Sequence, residues 1–414
     1  MRNLFQSSLK FLFLPLSFVV ILMTSSGHVR AADSLIREFV VPDETSSPHS
    51  ITVDPSGNVW FAEKVGKNLT MFDPAKKAFK VYQLPSNWGN VAPSLVASGP
   101  NGAVWFSVRR WAASEDDANF LGQFDPVTGS FRKHPLSNDE GEVSRSDAIE
   151  VKPEDLLVDG NGVVWFLSPN ENKLYSFDTS GAGLRGFTIP TPNCYPRGIA
   201  VDQAGNIWFS EANENKIGKF DPSFMKFNEY EIPTAFANPG MIAVDGAGKV
   251  WFVEMSANRI GVFYPDLIRF DEALLPTKGS MPNAIATDGS GRIWFLEYMA
   301  NKIGLFEPTQ SRFKEFTIPT PGSLPGDMVI DIERGRLWFS ETNTEAKKLG
   351  MLSIEAVFSG DGTLASGTSE NEMPDASKKS SGGVSFTAPY IGLALMVTVF
   401  GTFVVFFLRF RRKM

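Results

Sequence analysis

A Trp-Phe dipeptide recurs through this chain at an even interval, and that recurrence limits the possible folds more than any other feature. It stands at Trp60, Trp105, Trp165, Trp208, Trp251, Trp294 and Trp338, at spacings of 45, 60, 43, 43, 43 and 44 residues. Only Trp88 and Trp111 fall outside the series. A unit near 43 residues has room for four short strands. The unit around Trp208 shows all four: Ile199 to Asp202, Ile207 to Ser210, Lys216 to Phe220 and Phe227 to Ile232. Apolar and polar residues alternate within them, and Gly, Pro and Asn mark the turns. No helical period occurs in residues 33–356. Seven such units around an axis make an all-β, seven-bladed β-propeller.

The ends of the array predict how the ring closes. After Trp338 the chain offers one further strand, Lys348 to Ile354, and no fourth. The missing strand is at the other end, where Ile36 to Pro42 repeats the pattern of Phe313 to Pro319. The N-terminal strand is therefore expected to complete the last blade, which removes a bare sheet edge.

Flanking the array are segments of another kind. Met1 to Lys10 is cationic, Phe11 to Met23 is a short apolar run, and Val29 and Ala31 suit a signal-peptidase site. At the other end, Ala388 to Leu408 is an uncharged run of 21 residues followed by Arg409, Arg411, Arg412 and Lys413. That length crosses about 30 Å of hydrocarbon, and the basic tail belongs on the cytoplasmic side. The expected organisation is a signal peptide over 1–32, a propeller over 33–358, a Ser/Gly-rich linker over 359–387, a transmembrane helix over 388–408 and a basic tail over 409–414. The protein is then single-pass at the cell membrane, monomeric, with its N-terminal domain extracytoplasmic.

Charge narrows the partners. Of 39 basic residues, three lie in the leader and four in the tail, leaving 32 against 46 acidic ones, a net charge of −14. Such a surface repels phosphate backbones and argues against a nucleic-acid partner. Cys194 is the sole cysteine, so no intrachain disulfide forms. Asn68-Leu69-Thr70 is a glycosylation triplet of a kind that often arises by chance.

In a propeller the inner strand begins, and the second strand ends, on one face of the ring. A proline stands twelve residues before the repeat Trp in six blades (Pro48, Pro93, Pro153, Pro196, Pro239 and Pro282), and Pro325 is one place earlier in the seventh. Eleven residues before each Trp come His49, Ser94, Glu154, Arg197, Gly240, Asn283 and Asp327. These differ while the framework repeats, which is the sign of a polar pocket on a uniform scaffold. Ser94, Glu154, Arg197, Asn283 and Asp327 are expected to bind ligand, and His49 is the candidate general base. His134 replaces Tyr82 and Tyr230 in an outer strand and reads as structural. Three residues after each Trp, Glu63, Glu211, Glu254, Glu297 and Glu341 form a second series. If it converged on the channel mouth, Glu63, Glu297 and Glu341 would suit a hard cation such as Mg²⁺ or Ca²⁺. A feature repeated in five blades also suits a capping role inside each blade. Extra length in blade 2, Arg109 to Asp117 and Ser137 to Lys152, is expected near the same face as a lid or partner-binding wall.

The segments Pro196 to Pro233 and Pro282 to Pro319 resemble the virginiamycin B lyase (streptogramin lyase) family, and the resemblance covers roughly residues 35–355. It implies a seven-bladed propeller and Mg²⁺-dependent elimination at the ester of a cyclic depsipeptide. The family pattern places Pro-His-x-Ile at the inner strands of two late blades. Here that motif is Pro48-His49-Ser50-Ile51, in the first blade, and the late blades carry Pro282-Asn283-Ala284-Ile285 and Pro325-Gly326-Asp327. Asn cannot serve as a general base. The leading expectation is a membrane-anchored binding module for an extracellular small molecule, glycan or protein. The alternatives are an active metal-dependent carbon–oxygen lyase, or a related ester- or lactone-cleaving enzyme, with His49 as base and Asp327 among the metal ligands, and a structural cell-surface protein.

Overall fold

The computed structural model describes residues 35–43, 48–63, 65–110, 120–136, 151–179 and 183–359, with the backbone of 371–372. The expected signal peptide, transmembrane segment and basic tail, and most of the blade 2 extra length, lie outside the described residues. Among the described residues, no helix is long and apolar enough to cross a membrane.

Seven antiparallel sheets form, one for each Trp-Phe unit. In blade 4 the strands run Pro196–Val201, Ile207–Glu211, Lys216–Asp221 and Lys226–Glu231, from the axis outward. Every residue of the second strand is buried. Its flanking strands cover its edges, and neighbouring blades cover its two faces.

The dipeptide works through the strand period of two, which sends Trp and Phe to opposite faces. Trp208 faces the next blade and meets Phe263 at 5.9 Å between ring centroids. Phe209 faces the previous blade, where it joins Trp165 and Leu167. The core is thus a ring of wedges between blades. Most of the Trp indoles are also tied at the turn, as where Trp208 Nε1 donates to Asp202 Oδ2 at 2.9 Å. In five blades the Phe ring packs against a glycine of the third strand, and Thr70 and Tyr175 take that place in blades 1 and 3. A Cβ at Gly304 would sit 2.0 Å from Phe295, and one at Gly218 2.2 Å from Phe209. Gly304→Val is therefore expected to destabilise by ~3 kcal/mol or more, because the wedge cannot open without separating two blades. A thermal melt of the variant checks this, and a melting temperature equal to wild type would refute it.

Blade 7 closes as the sequence predicts. Ile36–Val40 pairs antiparallel with Lys348–Ser353, from Ile36 opposite Leu352 to Val40 opposite Lys348. Phe39 packs on Trp338 of its own blade and on Phe72 of blade 1. The strand expected to reach Ile354 stops at Ser353. A short helix, Ile354–Phe358, follows, capped by the Ser353 hydroxyl. It turns beneath the sheet, with Phe358 under the Arg292 guanidinium at 3.8 Å. Beyond it, Asn371–Glu372 adds a fifth strand to blade 6 against Arg312 and Phe313.

Candidate functional site

The upper face is where inner strands begin and second strands end, and the lower face carries the hairpin turns. On the upper face Arg197 reaches across three blades. Its Nε lies 3.9 Å from Glu154 Oε1 in blade 3, and its Nη1 lies 2.9 Å from Met255 Sδ in blade 5. Asn283 Nδ2 donates to the carbonyls of Pro325 and Gly326 at 3.1 and 2.8 Å. Its Oδ1 is buried without a partner. His49 is half-buried, and its carbonyl accepts the Ser340 hydroxyl at 2.9 Å. Ser94 lies half-buried on the inner strand of blade 2.

Asp327 departs from expectation. Its carboxylate accepts the amides of Ile51 at 2.9 Å and Met328 at 2.8 Å, so it stitches blade 7 to blade 1. The hairpin of blade 7 holds one residue more than that of blade 6: Asp331 precedes its Trp by seven places, and Asp288 by six. Counting eleven places back from Trp338 therefore stops one residue short, and Gly326 follows the opening proline of this strand. The same count hid Asp155, the structural counterpart of Asp327, which accepts the amides of Ile199 and Leu156, each at 2.9 Å. Counting from Pro153 and Pro325 would have exposed both. Burial pushes Asp155 up to about 8, aided by the charge of Asp327, and burial pushes Asp327 up to about 6.

Around this polar floor runs an apolar rim. Tyr195, Asn238, Met281 and Leu324 directly precede the inner prolines of blades 4 to 7, and all hold φ between 52° and 53°. Steric crowding by proline normally drives this position to extended backbone, and left-handed Tyr, Met or Leu is costly. Phe236 shares that conformation and is 89% exposed, while Met299 is 60% exposed. Strained backbone with exposed apolar side chains around a polar centre suits a ligand-binding mouth.

The structure does not bring the proposed metal ligands together at that mouth. Glu63 is buried in blade 1, where it accepts the Thr70 hydroxyl and Asn68 Nδ2. Glu297 and Glu341 are fully buried and point outward, toward Glu315 and Glu38 on outer strands. Burial first and the facing carboxylate second push both up to about 7, and the same causes push Glu211 and Glu254 to about 8. Among the described residues, no group of three or more His, Cys, Asp or Glu could hold a metal ion. A Mg²⁺ site built on Glu63, Glu297 and Glu341 does not fit this geometry.

These carboxyls belong instead to a latch repeated in four blades. In blade 6, Glu315 accepts the Thr277 amide and hydroxyl at 3.0 and 2.8 Å, and Lys302 Nζ at 2.6 Å. Thr277 belongs to the connection from blade 5, whose Asn258 accepts the amide of Ser280 at 2.8 Å. Glu229, Glu272 and Glu38 repeat the arrangement with Thr191, Thr234 and Thr320. His134 is structural, with Nε2 3.0 Å from Gln123 Oε1 and its ring against Trp105.

The class is thus defined: a closed seven-bladed propeller with a polar, apolar-rimmed mouth on its upper face. The profile of the virginiamycin B lyase family matches residues 136–359, and the chain belongs to that family. It is similar to selenomethionine-substituted virginiamycin B lyase from Staphylococcus aureus, at 25% identity and a TM-score of 0.64, over 77% of this chain and 98% of that one. A catalytically inactive histidine-to-alanine variant of that enzyme with quinupristin aligns equally well, at 26% identity, a TM-score of 0.64 and the same coverage. YCF48 bound to D1 peptide shares the fold at 11% identity and a TM-score of 0.59, over 77% of this chain and 96% of that one. None of the curated proteins compared matches the chain.

Proposed function

We propose that this protein is a membrane-tethered, extracytoplasmic binding module whose upper face receives a peptide-like ligand, on a scaffold that has set aside the family's elimination reaction. The observation that carries the reading is Asn283. It opens the inner strand of blade 6 where the family resemblance calls for His, and its amide is spent on the carbonyls of Pro325 and Gly326. Gly326 opens blade 7 and has no side chain to act as base. Arg197, the free Oδ1 of Asn283 and the rim of Tyr195, Phe236, Met281 and Met299 supply a cation, an acceptor and apolar contacts. That mixture suits a peptide or depsipeptide better than a bare anion. Quinupristin on the lyase variant and D1 peptide on YCF48 are ligands of related chemistry on related scaffolds.

The purified propeller is expected to leave a streptogramin B-type depsipeptide uncleaved with Mg²⁺ present, since loss of a general base costs about 10²–10⁴-fold in rate. Binding is expected to survive and to weaken in an Arg197→Ala variant, as calorimetry would show. Family membership favours a second reading, a carbon–oxygen lyase with His49 as base. Efficient ring opening that His49→Ala abolishes would establish it and sink the first.

A further inference from the structure

The turns between third and fourth strands all lie on the lower face, and two adjacent ones differ from the rest. Blade 4 carries Phe224-Met225 at its tip and blade 5 carries Leu267-Ile268, where blade 1 has Lys76-Lys77 and blade 6 has Gln310-Ser311. The four apolar side chains are 79%, 54%, 63% and 71% exposed. Ile268 holds φ 47° at the turn position where Lys77, Met225 and Ser311 hold 50–52° and where blades 2 and 3 place Gly129 and Gly183. A β-branched residue is poorly suited to it. The turn itself fixes the backbone, with the amides of Leu267 and Ile268 donating to the carbonyls of Tyr264 and Pro265, so what sets blade 5 apart is a β-branched residue and water-exposed apolar surface at that tip. Lys226 and Arg269 follow the two tips directly and are exposed.

The chain itself leaves from this face. Ser353 ends its strand at the lower side, Ile354 N donates to the carbonyl of Gly335 in a lower-face hairpin, and Phe358 lies under Arg292 of another. Asn371–Glu372 then pairs at the lower end of the outer strand of blade 6, leaving fifteen residues before the uncharged run 388–408.

We infer that Phe224, Met225, Leu267 and Ile268 dock into the interfacial layer of a lipid bilayer, with Lys226 and Arg269 at the headgroups. The propeller then stands lower face down and presents its upper face away from the membrane. Short loops with apolar tips and adjacent cations are suited to that layer, since the apolar ends enter the acyl boundary while the cations stay at its surface. Tethering keeps the local lipid concentration high, so weak individual contacts suffice. The inference rests on reading 388–408 as a membrane anchor.

The test uses the full chain in lipid nanodiscs with one environment-sensitive fluorophore, placed at Phe224→Cys or at Phe236→Cys on the upper face. Cys194 is fully buried and stays unlabelled. The expected result is blue-shifted emission and several-fold weaker iodide quenching at position 224, with position 236 unchanged from water. Adding Leu267→Ser and Ile268→Gly should return the 224 label to water. A chain that enters nanodiscs with its 224 label in water, or with position 236 shielded instead, overturns the docking but leaves the anchor intact. A chain that fails to enter nanodiscs overturns the anchor and the docking with it, and the incorporation step records that outcome separately.

Discussion

A chain lacking residues 33–42 is expected to melt roughly 10–20 °C below wild type, the largest single loss in this molecule. The deletion removes Ile36 and Phe39 from two interblade wedges, one shared with blade 6 and one with blade 1. It also removes Glu38, which accepts the Thr320 amide and hydroxyl and Lys348 Nζ at 2.9, 2.8 and 2.7 Å. What remains is a three-stranded blade with an open edge and an unpaired lysine beneath it. A shortened chain melting within a few degrees of wild type would show that the ring closes without this strand. Phe39→Ala tests the wedge alone and is expected to lose about a third of the same effect.

The second large effect is on pH. Glu211, Glu254, Glu297 and Glu341 sit in folded environments that raise them from the ordinary carboxyl range to about 7 or 8. In the unfolded chain they titrate near 4.5. Between those values the folded state holds protons that the unfolded state has released, so stability falls as pH rises. Their contribution is complete below about pH 4.5 and lost by about pH 8. Glu38 acts in the opposite sense: its lowered carboxyl stabilises above its unfolded value and fails in acid. The melting temperature is therefore expected to peak near pH 5 and to decline toward pH 9, as each raised carboxyl withdraws on the order of a few kcal/mol of stability. Gln mimics the protonated form, so Glu297→Gln should flatten the decline by one proton and match or exceed wild type at pH 9. Stability that rises steadily from pH 5 to 9 would contradict this account.

The fold was legible because its signals are local and repeated. Trp-Phe, the turn glycines and the proline after each outer strand each express a backbone demand that recurs in nearly every blade. Even the closure of blade 7 could be read, since Ile36 to Pro42 copies Phe313 to Pro319. The site was less legible because it is made of departures from the repeat. Counting from Trp338 puts Asp327 at the mouth, but one extra residue in the Asp331 to Arg336 hairpin places it in a backbone-binding position. The carboxyl series read as a ring around a channel because sequence position does not reveal which way a side chain turns. Each of these residues ends a second strand, and in blades 4 to 7 the face it takes points outward to an outer-strand carboxyl, while Glu63 turns to Thr70 and Asn68. The capping role that the recurrence also suited is closer to what the structure holds. Arg197 was legible as a pocket residue, but its reach from Glu154 to Met255 depends on three blades meeting. The left-handed rim was hidden, since Tyr195, Met281 and Leu324 look like ordinary residues before proline.

Both chain termini of the propeller meet in one sheet. Lys348–Ser353 lies between Arg336–Glu341 and Ile36–Val40, antiparallel to each and bonded along its full length. Once the short helix and the two-residue strand on blade 6 give way, a pull transmitted through the C-terminal segment loads this strand. Both ladders then resist in shear, with many hydrogen bonds loaded at once, rather than peeling one pair at a time. A propeller drawn on from this end should yield at high force in a single event. One whose N-terminal strand has been removed keeps only one ladder and should yield at a markedly lower force, so the closing strand is also the mechanical clamp of the ring.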